Sequence, residues 1–265
     1  PLATTLICLI PTLRYFPLHP FKSHNVKEPY LTVISYNTEG FGIDDNKDWT
    51  LNNPVLNYIL ELDADMVFIQ EATRDIINKA SHDGKVTSIY PYIGVSAAST
   101  SEAYFSKYPV AGSETINFEN SGNGCLYLKV LVGGDTLAVY NCHLQSNKLK
   151  DTEISEYHKF IKNPTDSTHY KASKKVLKNL LESTSQRAVQ ARMIAERARK
   201  ETAKYVIVCG DFNDTPLSYS HHVFNRFMTD AYAKSGVGMG ITYHEYKLYY
   251  RIDHIFCSSN ITPLH

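Results

Sequence analysis

Net charge is missing from this chain: 27 Lys and Arg balance 27 Asp and Glu over 265 residues. That excludes the global basic footprint of a chain built to coat nucleic acid. The five cysteines, Cys8, Cys125, Cys142, Cys209 and Cys257, form no Cys-x-x-Cys pair, so structural zinc is not expected. They are single, widely spaced and mostly inside apolar runs, which reads as free core thiols. No internal repeat or low-complexity tract is present. No uncharged apolar run reaches the roughly 20 residues that a spanning helix needs. Tryptophan occurs once, at Trp49, and is expected to pack at the start of a helix.

What is present is an ordinary folded composition, 43% hydrophobic, at a length that suits one large domain or two small ones. Charge is unevenly spread. Residues 148–200 hold 13 Lys+Arg against 6 Asp+Glu, which leaves the remainder acidic and suited to a carboxylate site with a divalent cation. The basic stretch Lys171–Lys178 reads as a solvated helix face, a track for a nucleic-acid backbone or a contact with an anionic membrane. At the N-terminus, PLATTLICLI is apolar until Arg14 and the prolines at 11, 17 and 20 interrupt it. Three readings stay open: the remnant of a membrane anchor, the end of a signal segment, or a loosely packed arm. Residues 1–28 are therefore set apart as an N-terminal arm, with 21–28 as linker, and 29–265 as the main domain. Attachment to a membrane through this N-terminal part is an expectation of the first reading.

The most informative stretch is YVIVCGDFNDTP at 205–216. Tyr205–Cys209 has the look of a buried strand, and Asp211 and Asn213 follow at its tip. The competing reading is an Asx-rich turn. Three other runs repeat the pattern: Leu31–Tyr36 ends at Asn37, Met66–Gln70 at Glu71, and Leu137–Cys142 at His143. Four strand-like runs with polar tips suggest that strand ends converge on one site. Between them, Leu51–Leu62 and Arg74–Ala80 are helix candidates, and Gly133 with Gly134 signals a hairpin. In Lys171–Lys200, Val176, Leu177, Leu180, Leu181, Val189, Met193 and Ile194 fall at helical intervals. This mix suits two packed mixed sheets flanked by helices.

The set YNTEGF (36–41), IQEATRD (69–75), YFSKYPV (104–110), NCHLQSN (141–147), CGDFNDTP (209–216) and YRIDHIF (250–256) resembles the endonuclease/exonuclease/phosphatase superfamily, the DNase-I-like metal-dependent phosphoesterases. The order and spacing match over roughly residues 30–257. The resemblance implies an α/β fold, a four-layer α/β/β/α sandwich of two packed mixed β-sheets. It implies Mg²⁺, or Mn²⁺, at Glu71, with Glu39 as a second ligand. Asp211 matches the general base, and Asn213 a group that hydrogen-bonds the nucleophile or the phosphate. Asn37 would orient the metal carboxylate or the base, and His143 would protonate the leaving group or contact phosphate. Asp253 would hold a catalytic histidine in the right tautomer. The plainer readings are a helix-start acid for Glu71, a loop acid for Glu39 and a hydrogen-bonded strand-end histidine for His143. Arg74 would contact phosphate or pair with Asp75 or solvent. His82, His158, His169, His221, His222 and His244 are expected to face water.

The family pattern also implies a final Ser-Asp-His motif on a last strand. None occurs in these residues, so that histidine and strand are expected beyond His265. His254 is expected to point away from Asp253, because successive strand residues face opposite sides. The implied function is metal-dependent, nuclease-like hydrolysis of a phosphodiester by a single copy of the chain. The substrate would be nucleic acid or a phospholipid head group. The alternatives are a phosphatase or phosphodiesterase acting on phospholipid or inositol phosphate at a membrane, and a non-catalytic binding module on the same fold.

Overall fold

The computed structural model describes residues 2–19, 29–42, 53–97, 99–147, 155, 167–245 and 248–264. The expected linker at 21–28, Trp49, and His158 with most of the connection before residue 167 lie outside these residues. Two sheets carry the fold. The first has four strands in the order β1 (Val33–Asn37), β2 (Met66–Gln70), β4 (Ala103–Ser106), β3 (Tyr92–Val95). The second has six, in the order β5 (Val110–Asn117), β6 (Gly124–Val132), β7 (Asp135–His143), β8 (Tyr205–Asp211), β10 (Asp253–Cys257), β9 (Thr229–Asp230). Pairs β1–β2 and β7–β8 are parallel and the others antiparallel, so both sheets are mixed.

Three apolar clusters give the layer count. Met66 and Phe68 of β2 meet Leu137 and Val139 of β7 and Ile207 and Cys209 of β8 between the sheets. Val67 and Ile69 of β2 face the other way, onto α2 (Pro54–Leu62), α3 (Arg74–Ala80) and α4 (Gly84–Ile89). Ala138 and Tyr140 of β7 and Val206 and Val208 of β8 pack under α5 (Ser167–Lys200) and α6 (Tyr219–Asn225). Strands covered on both faces read as unbroken apolar runs, as these do in the sequence. The result is the expected α/β/β/α sandwich.

Local chemistry sets the boundaries. Helix α2 starts at Pro54, because Asn53 accepts from the N–H groups of Val55 and Leu56 and so caps it. That moves the start inward from the expected Leu51, itself outside the described residues. Gly133 and Gly134, both at positive φ, close the β6–β7 hairpin as expected. Helix α5 corrects the expected stripe: Leu177, Leu181 and Val189 are exposed, while Val176, Ala191, Ile194, Ala195 and Ala198 are buried. Small residues let the helix lie close to the sheet, and Ser183, Arg187 and Gln190 share its buried face. Four cysteines are buried free thiols, whereas Cys8 is exposed.

Residues Leu2–Tyr15 form helix α1, and the chain after it is fastened rather than loose. Arg251 donates to the Arg14 carbonyl at 2.8 Å, and Gly238 N–H to the Pro17 carbonyl at 3.0 Å. Among the described residues no helix is long and apolar enough to cross a membrane.

Gly210 sits one residue before the tip of β8 at φ 132°, and a Cβ there would lie 1.8 Å from the Cys142 carbonyl oxygen. Two strands approach closely there because that side chain is missing. Gly210→Ala is expected to destabilise the fold by about 3 kcal/mol or more, adding overpacking to backbone strain. A urea titration checks this, and an unchanged midpoint would contradict the close approach.

Candidate active site

Register alone assembles most of the site. His143 ends β7 opposite Asp211, which ends the parallel β8, and Asp253 begins β10 opposite Asp211 on the other side. Residues level across neighbouring strands share a face, so His143, Asp211 and Asp253 stand in one row. From the other sheet, Asn37 ends β1 level with Gln70, and Glu71 follows at φ 53°.

Asn37 joins the two halves. Its Nδ2 donates to Glu71 Oε1 at 2.9 Å and to Asp211 Oδ2 at 3.0 Å. Its Oδ1 accepts from the backbone N–H of Glu39 at 3.0 Å. His143 Nε2 lies 3.6 Å from Glu71 Oε1 and 4.0 Å from Asp211 Oδ2, and neither ring nitrogen has a hydrogen bond among the described residues. Asp211 Oδ1 accepts from the N–H of Asn213 at 2.7 Å. Asn213 itself turns its amide to the Leu144 carbonyl at 3.0 Å, which fixes the loop to the end of β7.

Six of the seven expected residues therefore converge, while Glu39 enters through its backbone. Its carboxylate is exposed and makes no hydrogen bond or ion pair with the described residues. Glu71 is not a helix-start acid: α3 begins three residues later, and the Glu71 side chain is 40% exposed beside buried Asp211. His254 points away, into a nest of Phe212, His221 and Phe256. His221 is a correction. It is buried, not solvent-facing, and bonded to Asp230 at 2.8 Å. Arg74 donates to the Ser96 carbonyl rather than to Asp75.

The electrostatics are acidic and strained. Burial pushes Asp211 above the ordinary carboxylate range, while His143, Asn37 and the Asn213 N–H pull it back. Burial raises Asp253 to about 8, the Asp211 carboxylate adds to this, and a hydrogen bond with Thr242 opposes it. Glu102, a fully buried acid that was not anticipated, is also raised by burial, with His143 opposing. Glu71 and Asp211 flank the His143 imidazole and Asp253 stands level with Asp211, hard oxygens of the kind that Mg²⁺ or Mn²⁺ takes.

Supporting groups were missed as well. Gln70 Nε2 donates to Asn141 Oδ1 at 2.5 Å, and Asn141 donates to the Ile69 and Ala103 carbonyls, a polar bolt through the inter-sheet layer. Arg187 of α5 is buried and ties Gln145, Asn147 and Asp214 together. In the sequence Arg187 lies in the QRAVQAR segment, one turn from Ala191, with nothing to mark it as buried.

The model of the Endonuclease/Exonuclease/phosphatase family matches residues 34–265. Truncated TDP2 of Caenorhabditis elegans aligns at 18% identity over 87% of this chain and 85% of its own, with TM-score 0.60. D. rerio TDP2 complexed with single strand DNA product aligns at 18% over 86% and 84%, TM-score 0.59. Sphingomyelinase C from Streptomyces griseocarneus aligns at 18% over 88% and 85%, TM-score 0.55. At such identities they share the fold, the DNase-I-like sandwich. No curated protein sequence matches.

Asp253 generates a pH prediction. The folded state keeps its proton up to about 8, whereas an unfolded aspartate loses it near ~3.9. Between those values the folded state binds more protons, so this stabilisation is complete below the lower one and is lost as pH rises towards the upper. Asp253→Asn removes the titration. With divalent ions chelated, the variant is expected to gain about 1–3 kcal/mol on its parent between pH 5 and pH 8. Parallel pH profiles of thermal stability for the two proteins would contradict this.

Proposed function

The chain belongs to the endonuclease/exonuclease/phosphatase family, and on that premise we propose that it is a divalent-metal-dependent phosphodiesterase. The observation that carries this reading is the single amide of Asn37 shared between Glu71, exposed enough to take a ligand, and Asp211, buried and raised. Glu71 would hold Mg²⁺ or Mn²⁺, with Glu39 able to reach it only by turning its exposed side chain inward. When bound, the cation supplies Lewis-acid polarisation of a phosphoryl oxygen.

The chain's own residues do the rest. Asp211 takes the proton of the attacking water, and its raised pKa brings it nearer to the working pH of a general base. Asn37 keeps that carboxylate oriented while leaving Oδ1 fixed on the Asn213 N–H. His143, with both ring nitrogens unbonded, is placed to give a proton to the leaving oxygen or to hold a phosphoryl oxygen. Asn213 shapes the loop through the Leu144 carbonyl. Asp253 is the acceptor that would orient a histidine donated from outside the described residues.

A binding module does not account for this arrangement. Asp211 and Asp253, level on neighbouring strands with the charge of the first raising the second, cost stability that a catalytic role or a bound cation would offset. For the substrate, the nuclease-like reading draws support from the fold shared with a TDP2 complexed with single strand DNA product. A second reading, a lipid head-group phosphodiester, is favoured by the apolar helix α1, fastened to the loop that precedes Asp253.

Two outcomes test the reaction. Glu71→Gln is expected to abolish calorimetric binding of Mg²⁺ or Mn²⁺, and unchanged affinity would remove Glu71 from the cation site. In the natural protein, Asp211→Asn is expected to lower kcat at least ~10²-fold with KM little changed, as for loss of a general base acting in the transition state. Near-normal turnover would show that water is activated elsewhere. A panel of DNA, RNA, sphingomyelin and inositol phosphates assigns the substrate.

A further inference from the structure

His254 lies on the face of β10 opposite Asp253 and is buried. Its ring sits among Phe212, His221 and Phe256, at centroid distances of 5.3, 4.8 and 6.0 Å. To fill such a nest a ring need only be a ring, yet this one also makes a directed bond. Its Nε2 lies 2.9 Å from the Asp214 carbonyl oxygen. A carbonyl can only accept, so Nε2 carries the hydrogen and donates it. Burial and the neighbouring His221 drive the group's pKa down to about 3, so the ring is neutral and Nδ1 is a bare lone pair. Nδ1 is buried with no hydrogen-bond partner among the described residues, a cost that an apolar ring would avoid. What histidine provides here and phenylalanine could not is the Nε2–H donor.

That donor acts on the loop that sets the geometry of Asp211. The Phe212 N–H donates to the Ile252 carbonyl at 2.9 Å, and Asn213 Nδ2 to the Leu144 carbonyl at 3.0 Å. Asp214 Oδ2 accepts from Ser220 Oγ at 3.0 Å and from Arg187 Nε at 3.3 Å. Between these anchors Asn213 holds φ at 50°, the left-handed region, and in that conformation its N–H meets Asp211 Oδ1 at 2.7 Å. A left-handed residue costs free energy and persists because its surroundings enforce it. Ser220 and Arg187 grip the Asp214 side chain, and His254 adds a grip on its backbone carbonyl. With that peptide free to turn, Asn213 can relax and withdraw its N–H from Asp211. Strand β10 therefore serves Asp211 from both faces: Asp253 stands level with it, and the next residue steadies the loop that follows it.

We propose that His254 is a positioning residue for the reaction: by donating to the Asp214 carbonyl it keeps the Asn213 N–H on the Asp211 carboxylate. The proposal rests on the reading of Asp211 as general base. It is tested in the natural protein with Mg²⁺ and bis(4-nitrophenyl) phosphate as a plain phosphodiester. His254→Phe keeps an aromatic ring and removes the donor, whereas His254→Gln gives up the ring and restores a donor. The phenylalanine variant is expected to lower kcat about tenfold, the scale of one hydrogen bond, with KM little changed. The glutamine variant is expected to recover most of that loss, the reverse of the order that packing alone would give. In an Asp211→Asn background, His254→Phe is expected to have no further effect on kcat, because the two act as one unit. In chelator, the Asn213 amide is expected to exchange at least about tenfold faster in the phenylalanine variant than in the parent, read by NMR. If thermal melts show that phenylalanine is not accommodated, His254→Met, which also lacks a donor, takes its place. Parent-like kcat in the donorless variant, glutamine ranking below phenylalanine, or an undiminished effect in the Asp211→Asn background would each overturn the proposal. Should the parent not turn over the diester, the reaction reading falls, and amide exchange alone decides: faster exchange upholds the positioning, unchanged exchange overturns it.

Discussion

One side-chain amide holds the two halves of this protein in register at the place where that matters most. Asn37 Nδ2 has two hydrogens, and it gives one to a carboxylate from each sheet. Without that bridge Glu71 and Asp211 would be two anions facing each other across a sandwich, one of them buried, and their repulsion would push the sheet ends apart. The backbone turn at Glu39 exists to aim this amide: its N–H locks Asn37 Oδ1, and Gly40 bonds the Glu71 carbonyl. Glu39, Gly40, Phe41 and Glu71 all lie at positive φ, so the strand-end geometry carries strain that the surrounding packing enforces.

The rest of the sandwich supports that alignment. The Gln70–Asn141 bolt crosses the inter-sheet layer one residue inward from Glu71 and two from His143. An apolar pair there would pack as well but would leave the sheets free to slide, whereas hydrogen bonds between the two amides fix one register. Arg187 acts from the outer layer and anchors the loop that carries Asn213 and Asp214. On the far face of β10, Asp230 is pulled down to about 2. Burial opposes this, but the hydrogen bond and charge of His221, with the charge of Arg251, prevail. His254 is driven to about 3 by burial and by its neighbour His221, so it is a neutral core group. Asp253 and His254 are adjacent in sequence, yet one stands in the row with His143 and Asp211 and the other in the aromatic core.

The sequence by itself determined the strands and their chemistry. Apolar runs ending in Asn37, Glu71, His143 and Asp211 were legible because a strand buried on both faces must be apolar until it emerges. The family motifs then named the roles, and strand alternation separated Asp253 from His254. Tertiary structure decided everything that depends on which strands are neighbours. Nothing in the sequence singled out Glu102 or Asn141; their burial follows from the topology that brings β4 and β7 beside β2. His221 looked solvent-facing because its buried partner, Asp230, is supplied by a different element. Leu177 and Leu181 looked like core because periodicity shows that a helix has an apolar face and not whether a sheet covers it. Glu39 was read by its carboxylate, whereas the fold uses its N–H. The physical reason is the same in each case: local pattern fixes the conformation of a segment, but the environment of a polar side chain is set by residues distant in sequence, and only the closed sandwich specifies them.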